Sequence, residues 1–363
     1  MRLSQKLPCK SCDFHKNSLA KVVQVVYLNF FENPDYCSVF EGSLEIDNIT
    51  MLLSALLGSE AVFEPGNTIL VLDEIQECPD ARTALKFFHL DGRYDVIGTG
   101  SLLGVRGYGK EPKSIPVGYE TTIDMNPLDF EEFLWANGIS DVVIDSLRKN
   151  IRGVTPVPEA LHKKMRQLLL QYTVVGGMPD VVQTFVDTKR LDEVLNMQRD
   201  IVRSYEDDMI KYANQKDKSR ILECFQSIPK QLSKENKKFQ YSVVKKGSTA
   251  SKYAGSLQWI EDAGIISRCY NLISDMFTKM GRKLYYFHKN SGLEVDFVIR
   301  YKGECTLVEV KASSGNTKST KTILAHPEKY HVHSAIKLGD YNVGKSSEIL
   351  TLPLYMAFLL TEV

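Results

Sequence analysis

The stretch Thr68-Ile-Leu-Val-Leu-Asp-Glu74 joins a short, continuous apolar run to two consecutive acidic residues. Such a run, here preceded by the turn-forming Pro65-Gly66-Asn67, is typical of a central strand in a parallel sheet that is covered on both faces. Ligands of open α/β sheets bind at the carboxyl ends of such strands. Asp73 and Glu74 are therefore candidates for holding Mg²⁺ and orienting water in an ATPase; the alternative is an acidic turn after an ordinary strand.

The segments around this strand alternate between strand and helix patterns. Strands are predicted at 22–30 and Tyr94–Thr99, and helices at Ile46–Gly58 and Cys78–Leu90. This order predicts an α/β class with a parallel sheet. The second strand runs into Gly98-Thr-Gly-Ser101, which offers Thr99 and Ser101 as polar sensors of a γ-phosphate; a tight strand-to-loop turn would explain the same residues.

The predicted secondary structure changes at two further points along the chain. From about residue 126 long helical patterns dominate, and from 273 strand patterns return. Between them, a helix, a short helix, a long helix at Ser248–Ala263 and a strand at 265–272 follow the order of a winged helix-turn-helix. We therefore expect four domains: an ATPase-like sheet at 1–125, a helical lid or connector at 126–205, a winged helix at 206–272 and a small α/β domain at 273–363.

Charge and hydropathy limit the classes of partner. Lys+Arg and Asp+Glu both number 45 among 363 residues, so a basic face must be local. The sequence contains no run of about 18 apolar residues, so no membrane span is predicted. The polar Met1–His15 segment does not read as a signal peptide, so the cytoplasm is the expected compartment. Cys9-x-x-Cys12 lacks the further ligands of a zinc site and is interpreted as two thiols.

Several ordered segments resemble prokaryotic AAA-type ATPases that carry a C-terminal domain of unknown function. The segments that carry the resemblance are Asp73-Glu-Ile-Gln-Glu-Cys-Pro, Gly98-Thr-Gly-Ser-Leu-Leu-Gly, Ile115-Pro-Val-Gly, Pro127-Leu-Asp-Phe-Glu-Glu-Phe-Leu, Val175-Gly-Gly-Met-Pro-Asp-Val-Val, Ser227-Ile-Pro-Lys-Gln-Leu, Ser291-Gly-Leu-Glu-Val-Asp-Phe and Leu352-Pro-Leu-Tyr-Met-Ala-Phe. The resemblance implies ATP and Mg²⁺ as cofactors, a winged helix and a C-terminal fold like that of restriction endonucleases.

The chain departs from the family pattern in two places. Family members carry G-x-x-x-x-G-K-[ST] before the segment matching Val26–Phe30, and residues 1–25 contain no such loop. A further family stretch near Leu272 is also missing, so we expect a shortened copy whose ATP hydrolysis is impaired. Gly339-Asp-Tyr-Asn-Val-Gly-Lys-Ser346 fits the loop pattern, but the residues that follow predict a strand rather than the required helix. We interpret that match as a surface turn.

Two further groups of residues suggest other functions. Asp296 on one predicted strand, with Glu309 and Lys311 on the next, suits a Mg²⁺-dependent nuclease in which both carboxylates bind metal; a surface ion pair is the alternative. Lysines cluster in the winged-helix segment at Lys230, Lys234, Lys237, Lys238, Lys245, Lys246 and Lys252. Of these, Lys245, Lys246 and Lys252 are the candidates for DNA phosphate contacts, unless the segment docks a protein.

The sequence thus supports three hypotheses. The leading one is an ATP-binding AAA-type protein, associated with DNA, in which hydrolysis is doubtful because the phosphate loop is missing. The second is a non-catalytic module that binds DNA or a protein, and the third is a Mg²⁺-dependent nuclease. Candidate partners are DNA, another protein or a second copy of the chain. A membrane is not expected as a partner.

Overall fold

The computed structural model describes residues 24–101, 118–234, 239–271, 285–289, 292–311 and 317–361. The strands are β1 (Gln24–Asn29), β2 (Thr68–Asp73), β3 (Asp95–Gly98), β4 (Tyr270–Asn271), β5 (Tyr285–His288), β6 (Glu294–Tyr301), β7 (Glu304–Lys311), β8 (Ser334–Gly339), β9 (Gly344–Ser346) and β10 (Ile349–Pro353). The helices are α1 (Ile46–Leu57), α2 (Pro79–Asp91), α3 (Phe130–Ala136), α4 (Asp141–Gly153), α5 (Glu159–Val175), α6 (Pro179–Thr188), α7 (Leu191–Tyr212), α8 (Lys218–Leu232), α9 (Tyr241–Val244), α10 (Ala250–Asp262), α11 (Lys318–Leu324) and α12 (Pro327–Tyr330).

The chain divides into two compact units, and both confirm the predicted multidomain α/β class. The parallel-sheet unit comprises the described residues within 11–126 and 200–267, and the mixed-sheet unit those within 127–199 and 268–363. The finer division into four domains remains a prediction. Cys9, Cys12, Lys237 and Lys238 lie outside the described residues.

The parallel-sheet unit is built on β1, β2 and β3, with β2 between its two parallel neighbours. Alternate side chains of the strands, including Val26, Leu28, Leu70 and Leu72, are buried together against α1 and α2. Each strand therefore contributes one set of alternate residues to this core. The predicted strands and helices of this region are confirmed.

A second core in the same unit joins α8 to α10. Cys224 and Ile221 of α8 are buried with Tyr253 and Ile260 of α10. The strand predicted at 265–272 is largely wrong, because the described part of it forms a ladder only at Tyr270–Asn271. Ile265 and Ile266, whose apolar side chains suggested the strand, pack instead against the α8–α10 core.

The mixed-sheet unit contains a seven-stranded sheet in the order β4-β5-β6-β7-β8-β10-β9. β6 and β7 form an antiparallel hairpin, and β7 pairs in parallel with β8. The low-complexity composition of Ser313–Thr322 predicts an exposed loop, but the second half of that segment is helical, because α11 begins at Lys318 and buries Thr320 and Ile323. Gly339–Ser346 contains β9 and is followed by β10 rather than by a helix, so the strand predicted after this match is confirmed.

Candidate functional site

The carboxyl edge of the parallel sheet is held together by backbone hydrogen bonds on both sides of β2. The N–H of Phe30 donates to the carbonyl oxygen of Asp73 at 3.1 Å, and that of Thr99 donates to Leu72 at 2.9 Å. The N–H of Ile75 then donates to Thr99 at 3.0 Å. The ends of the three strands are therefore fixed next to one another, which places Asp73 and Thr99 side by side.

The Asp73 carboxylate accepts hydrogen bonds from groups on both neighbouring strands. Its Oδ2 accepts from the hydroxyl of Tyr27 and, at 3.3 Å, from the amide of Asn29. Its Oδ1 accepts from the hydroxyl of Thr99 and, at 3.1 Å, from the N–H of Glu74. Two oxygens of a carboxylate offer about four lone-pair sites, so these four donors fill them.

These bonds favour the ionised form of Asp73. Partial burial works to raise the pKa of this carboxyl, but hydrogen bonds from Thr99, Tyr27 and the N–H of Glu74 outweigh it and hold the pKa below its ordinary value. The bond to Asp73 also raises the pKa of the Tyr27 phenol. Asp73 is therefore an anion at neutral pH, and the side chains that hold it are uncharged.

Glu74 occupies a backbone conformation that is uncommon for a side chain of its size. Its φ of 54° and ψ of 44° lie in the left-handed region, at the junction between β2 and a short 3₁₀ helix at Ile75–Glu77. The Glu74 Oε2 accepts a hydrogen bond of 2.5 Å from the amide of Gln76, whose own Oε1 is buried with no hydrogen-bond partner among the described residues. Gln76 thus fixes the direction of the second carboxylate.

Three residues near this edge were missed by sequence reasoning. Tyr27 and Asn29 reach Asp73 from β1, across 46 and 44 positions of the chain. Lys211 of α7 lies 4.0 Å from the Glu77 carboxylate and 5.5 Å from the ring of the exposed Phe31. Period-2 alternation does place Tyr27 and Asn29 on one face of β1, but nothing in the sequence gives the register that sets them against Asp73.

The mixed sheet also brings its predicted residues together. The Lys311 Nζ lies 3.3 Å from both Asp296 Oδ2 and Glu309 Oε2. The Asp296 Oδ2 also accepts from the N–H of Val310 at 2.8 Å, and Glu309, only 3% exposed, accepts from the hydroxyl of Thr320. Burial opposes the charge on Lys311, but the two carboxylates outweigh it and raise its pKa. Thr320 was missed because it falls in the segment predicted to be a loop.

The three candidate lysines for DNA differ in their surroundings. The Lys245 Nζ pairs with Glu223 at 2.8 Å, and Glu223 also accepts a 2.5 Å hydrogen bond from the hydroxyl of Tyr253. These partners lower the pKa of Glu223. Glu223 of α8 therefore joins Tyr253 of α10 to Lys245, the residue after α9. Lys246 and Lys252 are exposed, the first in the segment between α9 and α10 and the second in the first turn of α10.

The region that contains the parallel sheet is similar to a known family. Residues 13–134 match the model of a family described as an AAA domain, which includes all three parallel strands. This match supports an AAA-type P-loop ATPase family for the chain. Two further models, both described as domains of unknown function, match residues 166–288 (DUF8612) and 269–355 (DUF4143).

A solved structure is also similar to the chain. The chain is similar to the Walker-type ATPase PABY2304 of Pyrococcus abyssi over 66% of this chain and 78% of that one, with 14% identity and a TM-score of 0.36. No curated protein matches. Within the described residues, no helix has both the length and the apolar character needed to cross a membrane.

Proposed function

We propose that the carboxyl edge of the parallel sheet is the Mg²⁺-binding half of an ATPase-like site, and that the chain binds Mg²⁺–ATP without efficient hydrolysis. In this proposal Asp73 holds the cation, Glu74 orients water, and Thr99, with Ser101 two residues further on, senses the γ-phosphate. The observation that supports it is the convergence of an ionised Asp73 and Thr99 at the ends of adjacent parallel strands. The AAA domain match covers the same residues.

The donor set fits the metal better than it fits the nucleotide. Mg²⁺ prefers carboxylate oxygens and keeps several waters, so one or two carboxylates such as Asp73 and Glu74 suffice. A bound Mg²⁺ would offset the charge of phosphate oxygens. A phosphate cradle needs a glycine-rich loop that opens a helix, but the sequence match at Gly339–Ser346 is followed by strand β10. We therefore derive no hydrolytic step for this chain.

The remaining residues define what the chain itself contributes. Asn29 and Tyr27 orient Asp73, and Thr99 links it to β3. Gln76 acts on Glu74 as a positioning residue, because its amide holds one oxygen of that carboxylate. These contacts keep Asp73 as an anionic ligand for a cation and hold Glu74 in one direction.

Binding of Mg²⁺–ATP to the full chain, followed by isothermal titration calorimetry, tests the proposal. Asp73→Asn removes the anionic ligand and should abolish the binding. Asp95→Asn, at the opposite end of the neighbouring strand β3 and exposed, is the matched control and should bind as wild type does. Binding that survives in Asp73→Asn, or no binding by the wild-type chain, would refute the proposal.

A second candidate function is metal-dependent cleavage of phosphodiesters in the mixed-sheet unit. The observation that favours it is that the Lys311 ammonium lies 3.3 Å from both Asp296 and Glu309, on neighbouring strands. Two carboxylates meet here, and the described residues contain no group of three or more His, Cys, Asp or Glu that could hold a metal. A cation would therefore keep several water ligands.

Cleavage of a DNA duplex in the presence of Mg²⁺ tests this candidate. Glu309→Gln should abolish cleavage, whereas Glu304→Gln, an exposed residue at the start of the same strand, should leave it unchanged. Circular dichroism must show that the Glu309 variant is folded. Cleavage that persists in a folded Glu309→Gln protein would refute the candidate.

DNA association is the remaining part of the proposal, and it rests on the exposed Lys246 and Lys252. Each phosphate contact contributes about one unit to the slope of log K against log salt. A Lys246→Ala/Lys252→Ala variant should therefore reduce this slope by about two. The exposed pair Lys163 and Lys164 of α5 provides the matched control. An unchanged slope would favour a protein partner for this segment instead.

A further inference from the structure

The four donors around Asp73 differ in how firmly each is held. Thr99 is fixed by backbone bonds to Leu72 and Ile75, and the N–H of Glu74 belongs to the chain next to Asp73 itself. The side-chain oxygen of Asn29 accepts the N–H groups of Phe31 and Glu32, both at 2.9 Å, so its amide is fixed by the turn after β1. The N–H of Glu74 and the Asn29 amide are therefore held by the main chain, and the Thr99 hydroxyl belongs to a β-branched side chain that is stiff at χ1.

Tyr27 is the exception. It lies on the edge strand β1, 50% exposed, and its aromatic ring is outside the buried core that contains Val26 and Leu28. A side-chain rotation about χ1 moves its hydroxyl into solvent without breaking any backbone hydrogen bond. Such rotations of exposed side chains take nanoseconds or less.

A cation at Asp73 must compete with one of these donors. Mg²⁺ binds a carboxylate either directly or through a water that donates a hydrogen bond, and both modes need a free lone pair. With four lone-pair sites occupied, the free site arises at the oxygen whose donor leaves most easily, which is the Oδ2 beside Tyr27.

We propose that Tyr27 is a gate on the Asp73 carboxylate: its phenol occupies the metal-binding oxygen, and a divalent cation binds only after the phenol has swung out. The gate rests on the proposed function, since it presumes that Asp73 is the metal ligand. It makes the affinity of the site lower than its two carboxylates would give alone. It also couples cation binding to the exposure of one aromatic side chain at the sheet edge.

Binding of Mn²⁺ alone to the full chain, measured from the electron paramagnetic resonance signal of the free ion, tests the gate. Tyr27→Phe keeps the ring and removes the competing hydroxyl, so it should bind about tenfold more tightly than wild type, the worth of one hydrogen bond to a charged group. Adding Asp73→Asn should abolish that gain. Tyr119→Phe, which removes the hydroxyl of a tyrosine whose ring lies 5.2 Å from the Lys86 Nζ of α2, is the matched control and should leave the affinity unchanged.

A second measurement reports on Tyr27 directly. In protein with meta-fluorotyrosine at position 27, the fluorine resonance should move when Mg²⁺ is added, and should stay fixed in the Asp73→Asn background. A resonance that stays fixed while Asp73-dependent binding takes place would overturn the gate.

The outcomes separate the gate from the function on which it rests. Binding that depends on Asp73 but is unchanged or weaker in Tyr27→Phe would overturn the gate and leave the metal site standing. Binding that is absent in wild type and present in Tyr27→Phe would support the gate strongly. No Asp73-dependent binding in either protein would overturn both.

Discussion

Asp73 in the parallel sheet and Glu309 in the mixed sheet are both strand carboxylates with a partner at each oxygen, but different groups hold them. Asp73 is partly exposed, and its partners are the uncharged Tyr27, Asn29 and Thr99. Glu309 is 3% exposed and has the ammonium of Lys311 at 3.3 Å. A partly solvated anion can keep its charge with neutral donors alone. A buried anion without a nearby cation costs several kcal/mol of stability through desolvation, about as much as breaking a buried ion pair.

Because of this difference, we expect changes at the two carboxylates to affect different properties of the protein. The Lys311 ammonium is the cation beside the buried Glu309, so a metal that binds Glu309 must displace this ammonium. A metal at Asp73 must displace only a neutral hydroxyl. We therefore expect stability to depend more on the mixed-sheet cluster and cation affinity more on the parallel-sheet edge.

The largest expected effect comes from a pair of glycines next to the two clusters. A Cβ at Gly339 would lie 2.1 Å from the backbone oxygen of Lys311 and 2.6 Å from the ring of Tyr341, whereas one at Gly98 would meet only the end of the Ile75 side chain at 2.9 Å. Gly339→Ala should lower the free energy of unfolding by about 3–5 kcal/mol and Gly98→Ala by about 1 kcal/mol or less, because backbone cannot move aside as a side chain can. Urea denaturation followed by circular dichroism measures both, and similar losses would break the comparison.

Removal of the resident cation has the next largest effect. Lys311→Met should lower the free energy of unfolding by about 2–4 kcal/mol, because it leaves Glu309 buried without its charged partner. Lys321→Met, on the exposed face of α11, is the matched control and should cost less than about 0.5 kcal/mol. A loss no larger than the control's would show that Thr320 alone satisfies Glu309.

The same variant has a predicted pH dependence. The pKa of Lys311 is raised in the folded protein above its ordinary value of 10.5. The stabilisation by its charge is therefore complete below that value and is lost as the pH rises through the folded-state pKa. The difference in free energy of unfolding between wild type and Lys311→Met should be constant below about pH 10 and narrow as the pH rises above 10.5. A constant difference would mean that Lys311 contributes through packing rather than charge.

The smallest effects come from the two threonines that donate to the carboxylates. Thr320→Val removes a donor from a buried group and should cost about 1–3 kcal/mol, whereas Thr99→Val removes one from an exposed group and should cost about 0.5 kcal/mol. Both changes keep the β-branched shape, so the loss of the hydroxyl is isolated. Equal costs in thermal denaturation would contradict the difference in burial on which the comparison rests.

Sequence patterns were sufficient for elements whose signal is local. The apolar run before Asp73 predicted β2, and alternation placed Glu309 and Lys311 on one face of β7. The strand at 265–272 was largely wrong because β-branched residues serve a helical core as well as a ladder. The helix at Lys318–Leu324, which buries only Thr320 and Ile323, was missed because its threonines and lysines carry little hydrophobic periodicity.

Sequence by itself determined the α/β class, the acidic end of β2 and the identity of the residues at both clusters, because short apolar runs and period-2 alternation depend on neighbours in the chain. Only the tertiary structure decided that Tyr27 and Asn29 fill one oxygen of Asp73, that Thr320 meets Glu309 and that Lys245 is paired with Glu223. These contacts depend on strand register and helix docking. Register is fixed by burial across the whole sheet, which no local pattern records.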